Sequence, residues 1–130
     1  MGKARTKTIV LDAGALIAFE RGDARMRALF REGNKAEVRF VVPAGVIGQV
    51  IRDTARQVTL RAVLNSADTT VAPLDRTLAE AAGVVCGRAG TSDVIDATLV
   101  LIARRERGVI VTSDVNDLAR LDPAATLERI

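Results

Sequence analysis

Five aspartates in this sequence stand where chemistry could be done: Asp12, Asp93, Asp96, Asp114 and Asp117. Asp12 directly follows the apolar run Thr8–Leu11, and Asp114 and Asp117 follow a second such run, Val109–Thr112. Asp93 and Asp96 are three residues apart at the start of a stretch with helical periodicity, so on a helix they share one face. Carboxylates without histidine form a hard-oxygen site, suited to Mg²⁺ or Mn²⁺ and poorly suited to zinc or copper. Once gathered, they repel one another unless a divalent cation neutralises them. Such an ion can orient a phosphodiester, lower the pKa of a bound water and stabilise the leaving oxygen. The residues themselves therefore point to metal-dependent phosphodiester hydrolysis.

Each acid also has a structural reading. Asp12 fits the N-cap of a helix over Ala13–Phe19. Asp93 lies in a helix first turn, where free N–H groups and the dipole favour carboxylates in any case. Asp117 fits a cap for a short helix Leu118–Leu121. Asp96 is harder to explain as idle, because it follows an apolar pair on the inner side of a core helix. Asp53, Asp75, Asp122 and Glu80 read as ordinary surface or capping acids.

Composition narrows the chemistry further. There is no His, so the usual general base and the usual zinc ligand are missing. Three Phe, with neither Trp nor Tyr, leave an aliphatic core and no platform for stacking bases. A hydrophobic fraction of 48% and a charged fraction of 27% suit one ordinary folded domain over residues 1–130. The formal charge of +3 comes from Arg far more than Lys, which suits a phosphate-bearing partner without demanding one. A lone Cys86 in an apolar run reads as a buried thiol, with no disulfide framework. No stretch is apolar over membrane-spanning length and no signal-peptide core precedes Asp12, so a cytoplasmic protein is expected.

The elements that must position the acids alternate between strand and helix. Strands are expected at Thr8–Leu11, Val38–Val42, Thr69–Ala72 and Val109–Thr112, with a weaker one at Thr126–Ile130. Helices are expected at Ala13–Phe19, at Ala24–Arg31 behind an Asp23 cap and a Gly33-Asn34 stop, and at Ala44–Gln57 after Pro43. The last of these places Gln49, Arg52, Asp53 and Arg56 on its polar side and continues through Thr59–Leu64. Further helices follow at Asp75–Arg88, at Asp93–Arg107 behind a Ser92 cap, and at Leu118–Leu121; Gly87–Ser92 reads as a loop. Lys3, Arg5 and Lys7 form a basic lead-in. This alternation argues for an α/β/α sandwich on a mostly parallel sheet of about five strands. Ligands of such folds sit beyond the carboxyl ends of the strands, where strand order reverses. If the first and fourth strands are neighbours there, Asp12 and Asp114 converge.

Four segments carry a resemblance. L-D-A-G-A-L-I-A-F-E-R-G-D (Leu11–Asp23), V-P-A-G-V-I-G-Q-V-I-R-D (Val42–Asp53), D-V-I-D-A (Asp93–Ala97) and V-T-S-D-V-N-D-L (Val111–Leu118) are similar to the PIN-domain ribonucleases. More narrowly they resemble the VapC-type toxins of bacterial toxin–antitoxin pairs, in the Arg-rich style of actinobacteria. The likeness covers nearly the whole chain in order. It implies a parallel sheet with the first and fourth strands adjacent, and Mg²⁺ or Mn²⁺ held by Asp12, Asp96 and Asp114. By the same resemblance Thr112 and Ser113 match supporting hydroxyls, and Asp93 and Asp117 match accessory acids. It further implies single-stranded RNA as substrate, a homodimer, and inhibition by a small antitoxin.

The chain departs from the pattern at Gln49, where the family's second metal acid, usually Glu, is expected. A neutral amide can ligate a cation or hold a metal-bound water but supplies no charge; Asp93, or Asp53 one turn beyond, could compensate. Arg52, Arg56, Arg61 and Arg88 are the candidates for phosphate contacts, each also readable as part of a solvated helix face. The alternative to a nuclease is a PIN-like module that binds RNA or a partner and cuts poorly. A receiver-like signalling domain would need an acidic pair near Asp12 and a late Lys, and the chain has neither.

Overall fold

The computed structural model describes residues 7–130. Its sheet has five strands, all parallel: β1 (Thr8–Leu11), β2 (Arg39–Pro43), β3 (Thr69–Ala72), β4 (Val109–Thr112) and β5 (Leu127–Arg129). Their order across the sheet is β3-β2-β1-β4-β5. The central strands are short β-branched runs covered on both faces, and Val10, Leu11 and Val42 are wholly buried. The expected mostly parallel sheet is thus fully parallel, and β1 lies beside β4, with Val10 opposite Ile110 and Leu11 opposite Val111. Strand order reverses at this pair. Asp12 and Ser113–Asp114 leave the sheet there, at the carboxyl edge.

Helices complete the α/β/α sandwich. One group comprises α1 (Ala13–Glu20), α2 (Ala24–Lys35), α3 (Ala44–Val50) and α4 (Val58–Leu64); the other comprises α5 (Arg76–Ala89), α6 (Val94–Glu106) and α7 (Val115–Leu121). α6 packs along β1, β2 and β4 and buries Ala97, Leu99, Val100, Ile102 and Ala103. Phe19, Phe30 and Phe40 stack in series with neighbouring ring centroids 4.8 Å apart, which concentrates the aromatic content between α1, α2 and β2. Cys86 is buried, as its apolar setting requires. No described helix is long and apolar enough to cross a membrane. Lys7 is exposed, while Lys3 and Arg5 lie outside the described residues.

Several element boundaries differ from those expected. α2 runs through Gly33 to Lys35 instead of stopping at Arg31, because Gly33 sits under Phe40: a Cβ there would come within 2.5 Å of the ring. This glycine serves a close approach, not a helix stop. α5 likewise continues through Gly87 to Ala89 and ends on Gly90, whose φ of 73° supplies the left-handed C-cap. The N-cap of α6 is Asp93 and not Ser92, since its carboxylate accepts from the Asp96 N–H at 3.0 Å. α7 begins at Val115, so Asp117 lies within its first turn and does not cap it.

The largest difference is after β2. The single helix expected over Ala44–Gln57 ends at Val50, and the chain passes through irregular Ile51–Thr54 into a 3-10 turn at Ala55–Gln57 before α4. Buried Gln57 holds the break: its amide donates to the Val50 carbonyl at 2.7 Å and accepts from the Arg52 N–H at 2.8 Å. The Arg52 guanidinium satisfies two more carbonyls, Gly48 at 3.0 Å and Ile51 at 2.8 Å. Side chains thereby replace the hydrogen bonds that a continuing helix would have made. Asp53 is in the left-handed region at φ 56° and its side chain is 98% exposed, so it is not one helical turn beyond Gln49.

Candidate active site

Asp12 is built into the junction between β1 and α1. It is 4% exposed, and its Oδ1 accepts from the Ala15 N–H at 2.8 Å, so it does cap α1. Its Oδ2 accepts from the Thr112 hydroxyl. One capping bond therefore accounts for part of its surroundings, and a donor at the end of β4, Thr112, accounts for more. Thr112, wholly buried, serves both acids: its Oγ1 accepts from the Asp114 N–H at 2.8 Å while donating to Asp12. The first residue of α7's approach is thus tied to the last residue of β1's.

Gly14 stands at the next position but one. A Cβ there would lie 2.2 Å from Ser113 Oγ and 3.2 Å from its Cβ, so any larger residue would have to turn the Ser113 hydroxyl away from the head of α1. Gly45 lets α3 approach α6 closely, where a Cβ would meet Ile95 Cδ1 at 2.7 Å and force that side chain to turn. These two glycines set how nearly the α6 N-terminus and the β1 and β4 ends approach.

The resulting electrostatics are those of uncompensated like charges. Burial pushes the Asp12 carboxyl above its ordinary range; the Thr112 hydroxyl and the Ala15 N–H oppose this, the charge of Asp114 adds to it, and the Ser113 N–H opposes it again. Asp96 is half-buried and pushed up to about 7, first by burial and then by the charges of Asp93, Asp114 and Asp12, with a hydrogen bond to Asp93 adding to the rise. Each acid therefore senses the others, and among the described residues no cation stands among the main influences on Asp12 or Asp96.

The structure brings together Asp12, Asp96, Asp114 and Asp93. Asp114 and Asp93 are exposed at the rim, and Asp117, also exposed, is not among the main influences on Asp12 or Asp96. Ser113 is exposed beside Gly14. Gln49 is exposed on α3 and lines a cleft with Glu20, Arg21, Arg52 and Arg56. Arg61 pairs with Asp53 at 3.5 Å, and Arg88 is exposed in the last turn of α5; neither lines that cleft. Arg21 and Glu20 are the residues that sequence reasoning passed over, because a break after α1 was the only visible signal at Arg21-Gly22-Asp23.

The donor set is one that Mg²⁺ or Mn²⁺ accepts: carboxylate oxygens, hydroxyls and backbone, with neither nitrogen nor sulfur. Among the described residues no three acidic or thiol side chains close around a common point at ligand distance. Mg²⁺ does not need that closure, since it keeps several waters and takes one or two carboxylates directly. The excess of negative charge that raises Asp96 is what a divalent ion would remove. By donor type and charge the residues fit such an ion.

No protein-family model matches the sequence, and no curated protein matches it. Solved structures do match in fold. A chain of DNA-bound VapBC from Salmonella typhimurium superposes with a TM-score of 0.69 at 18% identity, over 95% of this chain and 98% of that one. A chain of VapBC2 from Rickettsia felis, bound to a DNA fragment from its promoter, gives 0.70 at 12% identity over 95% and 98%. VapC20 of Mycobacterium tuberculosis, described as a sarcin-ricin loop cleaving toxin, gives 0.63 at 19% identity over 78% and 86%. At these identities the shared property is the fold. The fold is that of the VapC toxins which the four sequence segments resemble.

Proposed function

We propose that this chain is a metal-dependent endoribonuclease, the toxin of a toxin–antitoxin pair. The observation that carries the reading is the gathering of Asp12, Asp96 and Asp114, with Asp93, at the reversal point of a parallel sheet. The fold shared with VapC20, which is described as a sarcin-ricin loop cleaving toxin, supports the choice of a nuclease toxin. An antitoxin partner is supported by neighbours whose structures are VapBC complexes. A homodimer belongs to the same reading.

Asp12, Asp96 and Asp114 would hold the ion, with Asp93 at the rim. When bound, it supplies positive charge to the scissile phosphate and a water of lowered pKa. The chain's own contribution is placement. Thr112 fixes the Asp12 carboxylate and the Asp114 backbone with one hydroxyl, so both ends of the β1–β4 pair move as a unit. Asp93 ties the α6 N-terminus through the Asp96 N–H, which sets the depth at which Asp96 enters the cluster.

The test is cleavage of a mixed pool of tRNA and mRNA fragments with Mg²⁺ or Mn²⁺, against EDTA and an Asp96→Asn variant. Cuts that need the metal and vanish in the variant are expected. A second reading, an RNA- or partner-binding module, is favoured by the open spacing of the acids and by Gln49 standing where a fourth acid is expected. Wild-type protein that binds RNA and never cuts it would establish that reading instead.

A further inference from the structure

A cleft of about 770 Å³ opens between the C-terminal end of α1 and the chain that leaves α3. Its lining sets three guanidinium groups, Arg21, Arg52 and Arg56, against one carboxylate, Glu20, with the Gln49 amide among them. Arg21 and Arg56 make no ion pair among the described residues, whereas Arg39, Arg61, Arg76, Arg104 and Arg105 each have a carboxylate partner. Arg52 is held differently. One of its terminal nitrogens donates to the Gly48 and Ile51 carbonyls, which fixes the plane of the fork and leaves its remaining N–H groups without a protein partner. The broken helix after β2 has built a pre-oriented arginine.

The cleft and the acids are joined by α1. Asp12 caps one end of that helix and Glu20 closes the other, about 12 Å away along the axis at 1.5 Å per residue. A strand whose scissile phosphate lies at the acids has its neighbouring phosphates within reach of the cleft. No aromatic residue lines it, so it offers nothing for a base to stack on and only charge for a backbone.

We propose that this cleft grips the phosphate backbone of a single strand of RNA through Arg21, Arg52 and Arg56, and that Gln49 serves this grip by being neutral. A carboxylate at position 49 would add a second negative charge beside Glu20 and weaken the positive field that a phosphate would otherwise meet. The residue at 49 therefore belongs to substrate binding and not to the metal. The position of the scissile bond rests on the ribonuclease reading; the binding itself does not.

The experiment measures anisotropy of a short fluorescein-labelled single-stranded RNA of mixed sequence across a salt series. All variants are placed on an Asp96→Asn background so that nothing is cut, and Arg76→Gln, a cation on the exposed face of α5, is the control for net charge. Arg21→Gln and Arg56→Gln should each weaken binding uniformly across sequences and flatten the salt slope by about 0.7. Gln49→Glu should do the same, and in the otherwise wild-type protein should leave Mn²⁺ affinity unchanged; Arg76→Gln should bind like the parent. Unchanged binding and slope in Arg21→Gln and Arg56→Gln would overturn the proposal, as would a Gln49→Glu variant that tightens Mn²⁺ binding without weakening RNA. If wild type never cuts yet these variants lose RNA, the grip stands and the nuclease reading falls. If wild type cuts and the variants bind normally, the grip falls alone.

Discussion

The two ends of α6 treat their carboxylates in opposite ways. At its C-terminal end Glu106 accepts from both Arg105 and Arg39, and these partners hold its carboxyl below the ordinary range; nearby, buried Asp122 pairs with Arg104 at 3.0 Å. At its N-terminal end Asp96 meets Asp93, Asp114 and Asp12, no cation among the described residues figures among its main influences, and its carboxyl is pushed up to about 7. The chain has cations to spare, so the second arrangement is not a shortage of Arg. A fold that neutralises its acids at one end of a helix and leaves them bare at the other has kept the bare end for something positive from outside.

Substitutions can break this contrast at either end. The largest effect is expected from Asp96→Asn, which should lower metal-dependent RNA cleavage by more than about a hundredfold, while Glu106→Gln leaves cleavage unchanged; gel assays of both variants decide it. Next is Thr112→Val, which keeps the shape but leaves the Asp12 carboxylate and the Asp114 N–H each short of a partner. Chemical denaturation should show a loss of about 1–3 kcal/mol, with weaker Mn²⁺ binding. Glu106→Gln should cost less, about 1 kcal/mol by the same measurement, because Arg39 and Arg105 are both more than a third exposed and water screens them.

The smallest effect is a dependence on pH, and its sign differs between the ends. The unfolded chain releases the Asp96 proton near 3.8 and the folded protein near 7. Between those values the fold holds a proton that the unfolded chain lacks, so this group's stabilisation falls as pH rises across the window and levels off above it. Glu106 runs the other way: its contribution is present above its ordinary value of 4.5 and is lost as pH falls through its lower folded value. Thermal melts of the metal-free protein should lose the first slope in Asp96→Asn and the second in Glu106→Gln. Added Mg²⁺ should raise the wild-type melting temperature above pH 7 and leave Asp96→Asn nearly unmoved.

Much of the frame was legible because it is local. A β-branched run ending in aspartate, repeated at Asp12 and Asp114, marks two strand ends, and parallel α/β topology places such ends at one edge. The adjacency of β1 and β4 was a condition of that convergence, and the family resemblance implied it. What stayed hidden depends on contacts distant in sequence. Gly33 reads as a helix stop and Gly87 as the start of a loop, and only Phe40 above the first shows why α2 continues past it. The break after Val50 is made by Gln57, seven residues on, whose amide has no signature in a polar stretch. That break moved Arg52, Asp53 and Arg56 off a helix face and opened the cleft in which Gln49 sits. Asp12 was legible as a site acid and as a cap, and it is placed as both; the role of Thr112 as the link between two acids needed the strands paired.

The most direct test of the central claim is calorimetric titration of Mn²⁺ into the metal-free protein above the Asp96 value of about 7, for wild type, Asp96→Asn and Glu106→Gln. Saturable binding is expected in wild type and Glu106→Gln and its loss in Asp96→Asn. Wild type without saturable binding, or Asp96→Asn binding as tightly as wild type, would contradict that claim.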